Sequence, residues 1–293
     1  RINKISKSWK LKKEHSLMLS YKPSYEDYYY FKKYIKMYIS KAMDFQYEEN
    51  DKSFLKLLDK NKKNLKNITP NGAVVPKREF QLEYNLIIRQ WCHLIKKMTS
   101  KKPKLLKLFR MTPNIRIKFG SELEHNKSRP LNTAIAHSDA WLEGPWGFNC
   151  FMPIVGDIKN NYLKYYELKN EKEFREEFLK LSKTYNSMSW VNDYYKDLPI
   201  KLSSGIAYIS DYSLIHKTHR KAKAQTRVSV DTTIFVGNHL PFKDRLREYR
   251  KGIPLMGIDE IIDAGQYEND KFKGKISTFS HYTGRCAKTI RLK

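Results

Sequence analysis

The spacing of apolar residues changes partway along this chain, and that change limits the folds open to it. Between residues 25 and 110 apolar positions recur every three to four residues, the period of a helix buried on one face. "SYEDYYYFKKYIKMYISKAM" places Tyr28, Phe31, Tyr34, Ile35, Tyr38 and Ile39 at that spacing, with Ser24 as a candidate N-cap. "DKSFLKLLDKNKKNL" and "REFQLEYNLIIRQWCHLIKKM" repeat it, the latter with Leu82, Leu86, Trp91, Leu94 and Met98 as an apolar face beside a basic one. A basic amphipathic helix can lie on a membrane or on nucleic acid. Packing on a core with the lysines in water is the plainer reading, and the preferred one.

From about residue 114 the period shortens. "NIRIKFG", "TAIAHSDAW", "FNCFMPIV", "YLKYYEL", "GIAYISDY" and "TRVSVDTTIFV" are short runs rich in β-branched and aromatic residues, with turn formers between several of them, as in "EGPWG" and "GDIKNN". Many short strands without regular intervening helices predict an antiparallel jelly roll or sandwich rather than a parallel sheet. "NEKEFREEFLKLSKTY" is a helical insertion near residues 170–200, and after Gly237 "PFKDRLREYRKG" and "GIDEIIDAG" read as helical again. The expected architecture is one domain over 1–293, mainly β with helical flanks. A core at 111–237 is wrapped by a helical N-terminal region, 1–110, and a helical C-terminal region, 238–293.

At 40% hydrophobic and 13% aromatic residues, a disordered chain is excluded. The three cysteines, Cys92, Cys150 and Cys286, are odd in number and far apart. They make neither a disulfide framework nor a cysteine-rich zinc site, and they suit a reducing compartment. No apolar run reaches membrane-spanning length, and "RINKISKSWKLKK" lacks the apolar stretch of a signal peptide, so the expected location is cytoplasmic. The formal charge of +26, from 57 Lys+Arg against 31 Asp+Glu, would draw anions such as phosphates, nucleotides, nucleic acid or an acidic membrane surface. Scattered lysine with abundant Ile, Asn and Tyr is also what an AT-rich genome encodes, so charge alone decides little.

The stretch that bears chemistry is "AHSDAW". His137 and Asp139 are one residue apart, so on a strand they project from one face. Downstream, "LIHKTHRKAKAQTRVSVD" supplies a distal histidine, His216 or His219. Two histidines and a carboxylate on one face form the facial triad of non-haem Fe(II) oxygenases, with positions left open for a co-substrate and O2. Arg227 follows His216 by eleven residues, and its guanidinium is a natural partner for a carboxylate, with Ser229 on the same strand face. That spacing favours His216 over His219, which would face the other side. The bland alternatives are a hydrogen-bonded His137–Asp139 pair at a strand end and an Arg227–Asp231 ion pair.

Taken together, these residues resemble the Fe(II)/2-oxoglutarate-dependent dioxygenase superfamily. "HSDAWLEGPWGFNCFMPI", "NNYL", "YYEL" and "HKTHRKAKAQTRVSVD" resemble its phytanoyl-hydroxylase-like branch, and are most similar to streptomycin-biosynthesis-type oxygenases. The resemblance covers about residues 111–237. It implies a double-stranded β-helix, with His137, Asp139 and His216 as iron ligands and Arg227 and Ser229 on the distal carboxylate of 2-oxoglutarate. Asn149 and Thr218 join the co-substrate set, and Trp141, Trp146, Asn161, Glu167 and His219 are candidate substrate contacts. Lys221, Thr232 and Thr233 depart from the group's pattern and leave the substrate open. The implied reaction is hydroxylation of an unactivated C–H bond with release of succinate and CO2. A small, polar or anionic metabolite is the favoured substrate, such as a sugar, a nucleotide-linked compound or a natural-product intermediate. The alternatives are an oxygenase acting on nucleic acid and a non-catalytic basic module that binds RNA or membrane on the same scaffold.

Overall fold

The protein is described by a computed structural model over residues 2–69, 71–75, 78–101, 106–110, 113–120, 135–140, 147–181, 188–236, 255–256, 267–269 and 289–291. A short helix, α1 (Ile2–Ser6), leads into a hairpin of β1 (Lys12–His15) and β2 (Met18–Tyr21). Three helices follow, α2 (Tyr25–Ala42), α3 (Asp51–Lys60) and α4 (Gln81–Thr99). Ser24 caps α2 as expected, its hydroxyl accepting from the Asp27 amide at 3.2 Å, and Glu26 and Asp27 sit favourably in the first turn. The strands are β3 (Leu106–Arg110), β4 (Asn114–Lys118), β5 (Gly147–Gly156) and β6 (Asn161–Leu168). After α5 (Glu171–Glu177) and α6 (Val191–Tyr194) come β7 (Tyr195–Leu198), β8 (Ala207–Asp211), β9 (His216–Arg220) and β10 (Arg227–Val236).

Among the described residues all strand pairs are antiparallel, in two main sheets. The larger runs β1-β2-β8-β5-β10, and the far edge of β10 pairs with β4 along its first half and β3 along its second. The smaller runs β7-β6-β9. Strand parity then decides what each face touches. On the large sheet Ile115, Ile117, Cys150, Met152, Ile209, Val228 and Val230 point to the helices and join Phe31, Ile35, Trp91 and Ile95 in the principal core. Partners in register on the opposite face are polar: Asn114, Arg116 and Lys118 of β4 lie beside Asp231, Ser229 and Arg227 of β10. A second cluster of Met18, Tyr165, Tyr208 and Leu214 fills the space between the sheets. A third, with Phe174, Trp190 and Ile215, lies beneath the helical insertion on the outside of the small sheet.

The strand readings at 114–120, 148–155, 162–168, 205–212 and 226–236 match β4, β5, β6, β8 and β10. Three readings need correcting. The N-terminal region is not purely helical, because β1, β2 and β3 all extend the large sheet. The apolar face of α4 holds in part: the expected Trp91, Leu94 and Met98 are buried, joined by Tyr84, Ile87, Ile88 and Ile95, whereas Leu82 is 67% exposed and Leu86 only partly buried. The stretch around "AHSDAW" is no strand within 135–140 but a single bridge, His137 to His216, followed by a turn. The helices expected near 241–252 and 257–265 lie outside the described residues.

Candidate metal centre

Two backbone hydrogen bonds, His137 N to His216 O (3.0 Å) and the reverse (2.9 Å), set the two histidines side by side at the edge of the small sheet. The chain then turns. The Ser138 hydroxyl donates to the Tyr212 carbonyl at 2.7 Å, and the Ala140 amide to the same oxygen at 3.0 Å. That turn, not a strand, swings Asp139 onto the histidines. His137 Nε2 is 3.8 Å from one Asp139 carboxylate oxygen and His216 Nε2 is 3.9 Å from the other. Neither separation is a hydrogen bond, so the bland reading of a hydrogen-bonded pair does not hold. One ligand atom from each residue fits within 4.8 Å of the others, the only such cluster among the described residues.

Tautomer and charge suit metal binding. His137 Nδ1 lies 2.7 Å from the Ile135 carbonyl and His216 Nδ1 lies 3.1 Å from the Leu214 carbonyl. Each Nδ1 therefore carries a proton, and both Nε2 atoms are turned toward the carboxylate. Burial, with His216 alongside, pushes His137 down to about 4, so it is a neutral donor at neutral pH. Asn149 of β5 donates to Asp139 at 3.0 Å and fixes its second oxygen. Two imidazoles and one carboxylate, with no fourth protein ligand among the described residues, are the ligand chemistry of a facial Fe(II) site.

Arg227 lies 1% exposed on the inward face of β10. One Nη donates to the Asn161 carbonyl at 3.2 Å, the guanidinium sits 5.3 Å from the centre of the Phe151 ring, and Nε is buried with no partner among the described residues. Among those residues no carboxylate pairs with it. Asp231, its candidate structural partner, is held by Arg116 and by Asn114 at 2.8 Å. Burial and then the nearby Arg220 guanidinium lower Arg227 to about 9. Ser229 is buried two residues further along the same face, and Thr218 is buried two residues beyond His216.

Other candidates fall elsewhere. His219 projects to the outer face of the small sheet, edge-on to Tyr162 at 5.3 Å, which leaves His216 as the distal histidine of the cluster. Asn161 is fully buried, and its amide donates to the carbonyls of Lys118 (2.7 Å) and Gln225 (3.1 Å), so it ties strand ends together and has no donor left for a substrate. Glu167, on the central strand of the small sheet, pairs with Lys196 of β7 at 3.4 Å and lies 3.8 Å from His15. Trp141 and Trp146 lie outside the described residues. One inward residue was not anticipated: Tyr165 is opposite His216 in the β6–β9 register, with ring centroids 6.1 Å apart. The alternation of "NYLKYYEL" carries that signal once β6 is paired with β9.

No protein-family model and no curated protein matches the chain. Among solved structures it is similar to the α-ketoglutarate-dependent epimerase SnoN from nogalamycin biosynthesis (8% identity, 50% of this chain, 53% of that one, TM-score 0.30). It is also similar to a 2OG-Fe(II) oxygenase family oxidoreductase from Burkholderia pseudomallei (10% identity, 59% and 66%, TM-score 0.32). A third likeness is to EvdO2 from Micromonospora carbonacea var. aurantiaca (12% identity, 64% and 84%, TM-score 0.31). The chain spans about half the length of the SnoN structure.

Proposed function

We propose that the protein is a non-haem Fe(II)/2-oxoglutarate-dependent dioxygenase that hydroxylates an unactivated C–H bond of a small, polar or anionic metabolite. The carrying observation is the pairing of a cluster of two histidines and one aspartate with a buried guanidinium that has no carboxylate partner among the described residues, in the same inter-sheet space. We read the two facing antiparallel sheets as the double-stranded β-helix of that superfamily. His137, Asp139 and His216 would hold Fe(II); Arg227 and Ser229 would bind the far carboxylate of 2-oxoglutarate, flanked by Thr218 and Tyr165. With iron, 2-oxoglutarate and O2 bound, the centre supplies oxidative decarboxylation coupled to C–H oxidation, releasing succinate and CO2.

The chain's own part is positional. The two Nδ1–carbonyl bonds hold both imidazoles in the donor tautomer, and Asn149 keeps Asp139 from rotating away from them. Arg227 fixes the co-substrate at its far end by a charge-assisted bond in a dry site, where such bonds are strong. Phe151, Tyr165 and Tyr208 exclude water between the sheets. A cationic interior suits a polar or anionic substrate.

The test is an anaerobic titration with Fe(II) and 2-oxoglutarate, followed by the visible charge-transfer band of the chelate. Wild type and His219→Ala should develop the band, and His216→Ala should not. A folded wild type that binds Fe(II) but shows no band with 2-oxoglutarate would refute the proposal.

A further inference from the structure

Two surface grooves among the described residues differ sharply in charge. One, of ≈ 980 Å³ beside α3, is balanced: Lys52, Lys56 and Lys223 face Asp51, Asp59 and Asp157. The other, of ≈ 670 Å³ beside the β1 edge of the large sheet, gathers Lys7, Lys10, Lys12, Lys22 and Lys101 against a single acid, Glu14. These lysines come from segments nearly a hundred residues apart in sequence and are all exposed. Glu14 is already engaged, accepting from Ser20 at 2.6 Å and pairing with Lys12 at 3.2 Å. Among the described residues, Lys7, Lys10, Lys22 and Lys101 have no hydrogen bond or ion pair from their side chains. Four ammonium groups held around one concavity repel each other, and a strand of phosphates lying in it would relieve that repulsion.

We infer that this groove is a docking site for the phosphodiester backbone of a nucleic-acid strand, separate from the metal centre. Its shape and lining favour a strand over a membrane. It is concave, whereas a lipid surface is flat, and none of the large exposed apolar side chains (Tyr25, Tyr30, Leu65, Leu82) lines it to insert into one. Its volume and four spread cations exceed what a lone phosphate would use. Recognition through lysine and phosphate alone fixes position without reading sequence. The site is indifferent to whether the oxygenase reading holds.

The test separates local from bulk charge. A labelled single-stranded 20-mer oligonucleotide is titrated by fluorescence anisotropy between 50 and 200 mM NaCl. The groove variant is Lys10→Glu/Lys22→Glu/Lys101→Glu, and the control, with the same net charge, is Lys52→Glu/Lys56→Glu/Lys172→Glu. Matching Lys→Gln triples stand in should either fail to fold, as judged by circular dichroism. The groove triple should weaken binding at least tenfold more than the control and lower the salt slope by about 2, at ~0.7 for each phosphate no longer neutralised. Equal losses in both triples would make the binding a bulk-charge effect and overturn the inference, as would a wild type that does not bind at 50 mM NaCl. Full displacement by a few millimolar inorganic phosphate would mark a lone-phosphate site and overturn the strand. Selective loss of capture by phosphatidylserine vesicles, with oligonucleotide binding falling no more than in the control, would assign the groove to lipid instead.

Discussion

Replacing Arg227 with methionine should separate function from stability in a direction that a structural arginine would not allow. At 1% exposure, and lowered to about 9 from an ordinary value near 12.5, the guanidinium is held where its charge is disfavoured. At ~1.4 kcal/mol for each pH unit, that is ~5 kcal/mol of unfavourable environment in the ligand-free protein. Arg227→Met keeps much of the aliphatic stem against Phe151, removes the charge, and loses a single 3.2 Å hydrogen bond to Asn161, worth ~1–3 kcal/mol. Swapping a buried ionic group for a well-packed apolar one is often neutral or stabilising by ~1–4 kcal/mol. The variant should therefore unfold in urea at the same or a higher midpoint than wild type.

Binding should move the other way. Truncating one partner of a desolvated charge pair costs ~2–5 kcal/mol, so the 2-oxoglutarate needed to form the charge-transfer band should rise about 30- to several-thousand-fold. Arg227→Lys should fall between, because an ammonium keeps the charge and loses the planar fork. A loss of more than ~3 kcal/mol of stability in Arg227→Met, with 2-oxoglutarate bound as by wild type, would refute a co-substrate role for this side chain. Arg227 would then be a clamp between strands and not a ligand site.

Three further outcomes follow from the same geometry. Asn161→Ala orphans the buried carbonyls of Lys118 and Gln225 and should cost ~2–4 kcal/mol in urea unfolding; a loss under ~0.5 kcal/mol would count against its role as a pin. Gly156→Ala should cost more than ~2 kcal/mol by the same measure, because Gly156 has φ +104° and a Cβ there would lie 2.2 Å from the Thr226 carbonyl oxygen; a neutral substitution would show that the β5 turn yields easily. The folded pKa of His137 is depressed to about 4, so folded metal-free protein resists its protonation. That contribution is complete above the ordinary histidine value near 6.5 and is lost as pH falls through 4, up to ~3 kcal/mol. Denaturation midpoints measured from pH 7 to 4 should show a decline that flattens in His137→Gln; parallel curves would contradict the assignment.

The elements legible in the sequence were those whose burial obeys a local period. α2 could be read because Phe31, Ile35, Tyr38 and Ile39 all meet one core, and β10 because its two faces meet different things, apolar helices on one side and polar partners on the other. β1 could not be read in this way: "KKEH" is an edge strand, charged and mostly exposed, and carries no alternation. The first turns of α4 are illegible for a related reason: Leu82 and Ile87 are equally apolar in sequence, and only packing in the fold leaves the first exposed and the second buried. At the site, His216 was separable from His219 by parity and by the distance to Arg227. The turn that presents Asp139 was not foreseeable, because it depends on the Tyr212 carbonyl, more than seventy residues away.

The inner face of the sandwich has a polarity along it as well as across it. His216, Thr218 and Arg220 share one side of β9, and at ~3.3 Å per residue the last lies ~13 Å from the first. One end holds the two histidines and Asp139. The other gathers Arg116, Lys118, Arg220 and Arg227 near the Asp231 carboxylate, and burial with these cationic neighbours pushes Lys118 well below its usual range. Tyr165 lies within electrostatic reach of both ends: burial raises its hydroxyl most, the Arg227 guanidinium lowers it, and the Asp139 carboxylate raises it further. A ligand that chelates at one terminus and carries a carboxylate at the other would satisfy both ends at once. A monocarboxylic 2-oxo acid would leave Arg227 buried without a counter-charge. Under the proposed reading, a preference for a dicarboxylate would arise from the polarity of this face and from a buried cation that no described carboxylate pairs with, before any substrate enters.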